Sequence, residues 1–401
     1  MFKLATPSGG RLMLGTPDLL RLKSRLAQLV SIDTENPPGR EVEAVRYLAG
    51  ELAAIGLGVE TQEIMPGRAN VVARLANGPG PVFAFNSHID VVPAGEGWSR
   101  PAFQLAESNG RLYGRGACDA KGPIAAMLEA IELLVAHRSA WSGDLLAVFV
   151  ADEEAQSRGA KAFAAGKPHV DLAVIGEPTS NMVASAHKGS LRPRVRVIGK
   201  TAHSGMPHLG INAILEAGRL LGLVSEFHQQ DIGLRTHTLV GNASITVTRI
   251  DGGHADNVIP DRCEFLIDRR LLPGESEMRA VAEIEELLAT ARDRYGVNAE
   301  IVGFAPTTGG ATETSSEEPL VVAALTAAAA SCRAHQEPVG FPAACDLVHF
   351  RSLGAKGIVL GPGSLDVAHK PDEFVPVDEL VRASCIYAET ALSMMKQGSV
   401  R

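Results

Sequence analysis

The stretch Phe83-Ala84-Phe85-Asn86-Ser87-His88-Ile89-Asp90 decides the reading of this chain. Its apolar start reads as a buried strand, and it closes on a histidine and an aspartate two positions apart. On an extended strand residues i and i+2 share a face, so His88 and Asp90 can meet one reaction centre together. A metal-bound histidine usually passes its other ring N–H to a carboxylate or carbonyl, which fixes the tautomer and makes the donor nitrogen more basic. His88 as ligand and Asp90 as its orienter satisfy that need, although a plain hydrogen-bonded pair at a strand end has the same sequence.

Working upstream, Thr16-Pro17 reads as an N-cap with proline at the first helical position, followed by the apolar stripe Leu19, Leu20, Leu22, Leu26 and Leu29. A second helix carries Val42, Val45, Leu48, Leu52 and Ile55 and stops at Gly56. Strands over 59–64 and 70–75 then lead into the organising strand, 82–87. Downstream, Gly114-Arg115-Gly116-Ala117-Cys118-Asp119-Ala120-Lys121-Gly122-Pro123 opens a helix faced by Ile124, Met127, Leu128, Ile131 and Leu134, which puts Asp119 just before a helix N-terminus. Buried-strand patterns over 145–150 and 173–176 stop at Asp152-Glu153-Glu154 and at Glu177-Pro178-Thr179.

From Lys188 the rhythm changes to strand 192–198, helix 212–228, strands 244–250 and 264–270, helix 277–295 and strand 299–304. That β-α-β-β-α-β order is the ferredoxin-like plan of a small separate domain. The first rhythm resumes with a helix over 319–334, a strand over 357–361, the loop 362–372 and a helix over 377–395. The expected fold is therefore α/β, a central sheet flanked by helices, formed by residues 16–188 and 306–401. An α+β domain, 189–305, is inserted into it.

The 401 residues are 45% hydrophobic, 21% charged and 4% aromatic, a soluble globular composition long enough for two or three domains. A net charge of −8 gives no electrostatic support for a nucleic-acid or anionic-membrane role, so a small molecule is the expected partner. Cys118, Cys263, Cys332, Cys345 and Cys385 are odd in number and form no C-x-x-C pair, which argues against a disulfide framework and for a reducing compartment, the cytoplasm. No apolar run approaches the roughly 18 residues of a membrane span. Residues 1–15 lack the apolar core of a signal peptide. They are expected to be disordered or to precede the true start, with Met13 close to the first helix.

In open α/β sheets, sites form at the carboxyl ends of the strands. His88, Asp90, Glu153, Glu154 and Glu177 all lie at such ends, and Asp119 and His369 lie in loops of the same layer. Singly each has an ordinary reading as a cap, a solvated acid or a loop histidine; together they gather at one edge. Imidazole and carboxylate ligands without thiolate suit Zn²⁺, with Co²⁺ or Mn²⁺ as alternatives. In a two-ion arrangement Asp119 bridges, His88 and Glu177 hold one ion, and Glu154 and His369 hold the other. Three carboxylates against two divalent ions leave about one positive charge, which a bridging hydroxide neutralises; bound metal lowers the pKa of water from about 15.7 toward 7. Glu153, outside that ligand set, is free to take the water's proton and deliver it to a leaving amine, which makes amide hydrolysis the expected reaction.

These residues resemble the two-metal amidohydrolases that include acetylornithine deacetylase, succinyl-diaminopimelate desuccinylase, aminoacylase and the glutamate carboxypeptidases. The likeness runs through Ser87-His88-Ile89-Asp90, Gly114-Arg115-Gly116 to Asp119, Asp152-Glu153-Glu154, Gly176-Glu177-Pro178-Thr179, Lys188-Gly189 and His203-Ser204-Gly205. It continues through Asn257-Val258-Ile259-Pro260, Asp268-Arg269-Arg270, Gly361-Pro362-Gly363 and Ala368-His369. It implies the ligand assignment above, with Glu153 as general acid/base and a zinc-peptidase-like catalytic domain whose central sheet is mixed. It further implies that the inserted domain is a lid that makes a homodimer, and that His203 reaches the partner's site to support the oxyanion. By the same resemblance Asn257, Gly363 and an arginine after Asp268 bind substrate. Arg270 holds the family's position, whereas Arg269 falls on the other strand face.

The chain departs from the family at Ala117-Cys118 and at Ala343-Ala344-Cys345-Asp346, where small hydroxyl residues are usual. A thiolate ligand at Cys118 is a weaker reading than the harder carboxylate beside it. The run from Gly361 to Glu373 is most similar to the acetylornithine deacetylase branch, so the expected function is removal of an acyl group from an N-acyl amino acid. Desuccinylase, aminoacylase and dipeptidase activities are the alternatives within the family. From another class, a non-catalytic metal-containing binding protein has no use for Glu153, and a nucleotide oxidoreductase lacks G-x-G-x-x-G after the early strands.

Overall fold

The computed structural model describes residues 14–332 and 337–396. Helices α1 (Leu19–Ser31) and α2 (Val42–Ile55) precede the hairpin β1 (Gly58–Met65) and β2 (Arg68–Asn77), and β3 (Val82–His88) follows. After α3 (Lys121–Ala136) come β4 (Gly143–Val150), α4 (Arg158–Ala165), β5 (Leu172–Ile175) and β6 (Ala184–His187). A second unit runs β7 (Gly189–Ile198), α5 (Ala213–Gln230), β8 (Ser244–Gly252), β9 (Arg262–Leu271), α6 (Glu277–Tyr295) and β10 (Asn298–Ala305). The chain returns through β11 (Thr312–Glu313), α7 (Pro319–Cys332), β12 (Val339–Phe341), α8 (Leu347–Ser352) and β13 (Lys356–Val359), and ends in α9 (Val377–Met395).

The main sheet is mixed, in the order β1-β2-β4-β3-β5-β13-β6-β11, with β12 paired to β6. Central β3 lies parallel between β4 and β5, Phe83 standing opposite both Leu145 and Leu172. A strand covered on both faces reads as a continuous apolar run, which is why 83–86 shows little alternation. Because β3, β4 and β5 run the same way, their carboxyl ends open on one edge. That edge receives His88, the 152–154 loop and Glu177.

One face of the sheet packs Phe83 and Phe85 against Leu22, Leu26, Ile124, Leu128, Ile386 and Tyr387 of α1, α3 and α9. The other packs Val148, Val150 and Ile175 against Phe163, Leu347 and Phe350 of α4 and α8. Burying a Leu, Ile or Phe side chain stabilises by about 1.5–3 kcal/mol, so these two layers fix the edge firmly. The second unit is a four-stranded antiparallel sheet, β8-β9-β7-β10, with its own core of Val195, Val197, Leu220, Val224, Phe265, Ile267, Ile284 and Leu288. Along β7 the alternation is clean: Val195 and Val197 face the helices and Arg194 is exposed.

Some local expectations change. Helix α1 is capped by Asp18 instead of Thr16, because its carboxylate accepts the N–H groups of Leu20 at 3.0 Å and Arg21 at 3.1 Å. Of the amino-terminal leader, 1–13 lie outside the described residues, and Leu14 is buried in the main core. Residues 333–334 of the expected 319–334 helix also lie outside them. Among the described residues no helix is long and apolar enough to cross a membrane.

Candidate active site

His88 ends β3 and is buried. Its Nδ1 lies 2.9 Å from the Asp90 carbonyl oxygen and its Nε2 lies 3.0 Å from Asp119 Oδ1 and 3.9 Å from Glu177 Oε1. The Asp90 carboxylate does not orient the ring as expected: it stands 3.8 Å from Nδ1 and accepts instead the backbone N–H groups of Glu153 at 3.0 Å and Glu154 at 3.1 Å. The Asn36 amide donates to the same carboxylate at 2.8 Å. With three donors already on it, the carboxylate shapes the acidic loop while the main-chain carbonyl fixes the imidazole. Asp152, buried and at φ +72°, takes Asn36 at 3.0 Å and Arg68 at 2.7 Å, and Arg68 is held in turn by Glu41.

Asp119 precedes α3, and the Asp119–Ala120 peptide is cis. Glu373 Oε1 accepts the N–H groups of Cys118 at 2.8 Å and Asp119 at 3.0 Å, and its other oxygen pairs with buried Arg115. Across the site His369, at φ +61°, places Nε2 3.2 Å from Asp119 Oδ2 and 3.1 Å from Glu154 Oε2. A non-glycine residue held left-handed is a local strain that packing must support, and such residues concentrate at functional sites. The two oxygens of Asp119 thus face two different imidazoles. Sequence reading missed Glu373, Asn36 and the Arg68–Glu41 pair. The signal for Glu373 was Arg115, a charge set between two glycines that needs an acid once buried.

Burial works against the charged form of every group here, and the balance differs by residue. Despite burial, hydrogen bonds from His369 and His88 hold Asp119 below the usual carboxylate range. His88 is pushed well up despite burial, by the hydrogen bond to Asp119 and the charge of Glu177, and His369 is pushed up to about 10 by Asp119 and Glu154. Burial raises Glu153 and Glu177 well above the carboxylate range and raises Glu154 as well.

These residues fit a metal. With its Nδ1 donating to a carbonyl, His88 aims Nε2 at a carboxylate oxygen, a pairing that needs a positive charge, supplied either by the proton that the surrounding acids favour on this ring or by a metal ion that would replace it. Ligand atoms of His88, Asp119 and Glu154 all lie within 4.8 Å of one another, and Glu177 and His369 adjoin them. An all-N/O set of this kind suits divalent ions. The Cys118 thiol, by contrast, is pushed well up by burial, which disfavours the thiolate that a ligand must be.

The remaining expected residues lie apart. His203 and Asn257 are exposed on the second unit, where His203 pairs in register with Val258 and its Nδ1 accepts from Gly205 N–H at 3.0 Å. Arg269 is buried against Glu275 at 2.6 Å, whereas Arg270 is half-buried and bound to Asp268 at 2.7 Å. Gly363, at φ +84°, gives its N–H to Glu379 at 2.8 Å and lies directly under Cys118.

A sheet edge carrying imidazoles and buried carboxylates in this arrangement defines an α/β metallohydrolase. The profile of peptidase family M20/M25/M40 matches residues 84–393, and the chain belongs to that family. It is a metal-dependent hydrolase of amide bonds. It is 33% identical over 381 residues to the acetylornithine deacetylase of Myxococcus xanthus, an alignment covering 92% of this chain and 96% of that one. Among solved structures it is similar to an aminopeptidase from Bacillus cereus, with a TM-score of 0.77 and 20% identity over 95% of this chain and 100% of the other. It is similar also to a dinuclear metal-binding peptidase of the M20 family from Bacillus subtilis, with a TM-score of 0.70 and 19% identity over 94% and 98%.

Proposed function

We propose that this enzyme removes the acyl group from an N-acyl amino acid, with an acetylornithine deacetylase-like substrate, and works with two divalent ions, Zn²⁺ first and Co²⁺ or Mn²⁺ as alternatives. The observation that carries the reading is Asp119, whose two oxygens face two different imidazoles. Asp119 would bridge, His88 and Glu177 would hold one ion, and Glu154 and His369 the other. When bound, the ions acidify water and polarise the amide carbonyl.

Glu153 supplies the proton traffic. Its carboxylate, made more basic by burial, takes a proton from the attacking water at Oε, holds it, and hands it to the departing nitrogen. Asp90 fixes the angle of the Glu153–Glu154 backbone, and Glu373 fixes that of Cys118–Asp119. Arg270 and Asn257 are assigned to the substrate's carboxylate, with Gly363 lining the pocket; Arg270 has the freer guanidinium, since Arg269 is buried on Glu275.

The second unit is assigned as a lid that dimerises and brings His203 to the partner's oxyanion. Supporting this, β8 is an edge strand, and Leu209, Ile211, Ile214, Leu215 and Ile250 are exposed around it and α5. Free Cys118, Cys263, Cys345 and Cys385 accord with a cytoplasmic setting. The assignment is tested by metal analysis of dialysed protein. Two ions per chain are expected, falling below one in Asp119→Asn; retention of both ions by that variant would remove Asp119 from the ligand set.

A further inference from the structure

The loop that carries Glu153 and Glu154 is gripped at both ends by β2, a strand that supplies no ligand or acid to the site. Residues 68 and 70 share one face of that strand. Asn70 ties the two ends of the loop together: its Oδ1 accepts Ala151 N–H at 3.1 Å and its Nδ2 donates to the Gly159 carbonyl at 2.9 Å. A Cβ at Gly159 would meet Ala151 N at 2.7 Å, so the ends close this tightly only on glycine. Arg68, 5% exposed, takes the loop one residue further in, with Nη1 2.7 Å from Asp152 Oδ1. The rest of its guanidinium lies on Glu41, fully buried at the start of α2. Nε stands 2.9 Å from one oxygen of Glu41 and 3.1 Å from the other, and Nη2 donates to Oε1. Gly39, at φ +88°, makes the room, since a Cβ there would overlap the guanidinium.

Asn36 carries this order on to the metal-facing acids. Its amide nitrogen has two protons and both are committed, one to Asp152 Oδ1 at 3.0 Å and one to Asp90 Oδ2 at 2.8 Å. Two carboxylates that would repel each other are thereby joined. Asp90 then accepts the N–H groups of Glu153 and Glu154. Arg68 thus reaches Glu153 by two routes, directly through the preceding residue Asp152 and around through Asn36 and Asp90. A purely stabilising role would need only the Arg68–Glu41 pair, and a buried ion pair gains little net stability. The bond to Asp152 does something else. It holds a non-glycine residue at φ +72°, a strained conformation that persists only where the surroundings impose it.

We propose that Arg68 is a positioning residue of the reaction: its fork spans Glu41 and Asp152, keeps Asp152 left-handed, and so sets the direction in which Glu153 and Glu154 leave the sheet edge. Lysine would keep the charge without the fork, since its ammonium is a point charge where the guanidinium is a planar set of donors. The proposal rests on Glu153 as the acid/base and adds a determinant on a strand outside the site.

The test is a double-mutant cycle of Arg68→Lys and Glu153→Gln in the full chain at saturating Zn²⁺, reading kcat and KM for amino-acid release from N-acetylornithine. Arg68→Lys alone should lower kcat by about 10- to 100-fold and change KM by less than about threefold, because a misplaced reacting group costs rate more than binding. In the Glu153→Gln background the same substitution should change kcat by less than about threefold, since the group it places is already gone. Equal losses in both backgrounds, or a loss carried by KM alone, would overturn the proposal and leave Arg68 as a structural ion pair. Asn36→Ser, which donates one hydrogen bond where the amide donates two, takes the place of Arg68→Lys in the cycle if that variant fails to fold. If the wild type releases nothing, or Glu153→Gln keeps the wild-type kcat, the reading of the reaction fails instead, and competition with a chelator decides. A loss of metal affinity of about tenfold in Arg68→Lys keeps the positioning role, acting through Glu154; unchanged affinity overturns it.

Discussion

Glu153 sits beside the acids Glu154 and Glu177, and the Thr308 hydroxyl donates to its Oε1 at 3.5 Å. A residue so placed contributes through its proton and not through a structural bond. Glu153→Gln should lower kcat by about 10²–10⁴-fold with metal content unchanged; loss of an ion from that variant would make Glu153 a ligand instead. Glu373 acts at one remove, through two backbone N–H groups and Arg115. Its replacement by Gln should weaken metal binding about 10–100-fold, measurable by competition with a chelator, because the supports of a ligand tune it nearly as much as the ligand does. His187 and His349 give a pH signature. Both are held down to about 4 in the folded chain, against an ordinary value near 6.5, so the unfolded state binds more protons between those limits. Stability should therefore be unaffected above about pH 6.5 and fall progressively toward about pH 4, by on the order of 3 kcal/mol for each ring. Urea melts at pH 7 and pH 5 check this, and His187→Gln should flatten the dependence.

At the level of strands and helices, what the sequence discloses depends on length and periodicity. The bounds of α6 and α9 match the reading from the sequence, and β3 was evident from its apolar run. The helices α4 and α8 and the four-residue β6 were not foreseen, since they are too short to show a period; β6 carries the buried His187 and α8 the half-buried His349. The residues at the edge were legible because parallel strands must end together, so acids following three apolar runs converge. Their supports were not, because Glu373 is separated from Asp119 by 254 positions and Asn36 from Asp90 by 54. The turn after β13 is a further constraint that pattern alone does not show. Gly363 has φ +84°, and a Cβ there would meet Cys118 Sγ at 2.5 Å. Gly363→Ala should destabilise by about 1–3 kcal/mol in chemical denaturation and perturb the Asp119 loop.

Across the whole molecule, two separately packed units meet where β7 leaves and β10 returns. The Thr307 hydroxyl donates to the Ser190 carbonyl at 2.9 Å and Ser190 N–H to the Gly309 carbonyl at 2.8 Å, so the two crossings are tied by one side-chain and one backbone hydrogen bond close to Thr308, which faces Glu153. If the second unit dimerises along β8 and α5, the double substitution Ile214→Glu with Leu215→Glu should yield a monomer by light scattering. With His203 acting on the partner's site, its kcat should fall with it. The central claim, metal-dependent deacylation driven by Glu153, is tested most directly by stripping the full chain of metal and measuring amino-acid release from N-acetylornithine, before and after adding Zn²⁺ or Co²⁺, in the wild type and in Glu153→Ala. Activity should vanish on stripping, return with metal in the wild type, and stay absent in the variant although it rebinds the ions. Turnover that survives stripping, or that Glu153→Ala retains at the wild-type rate, would contradict it.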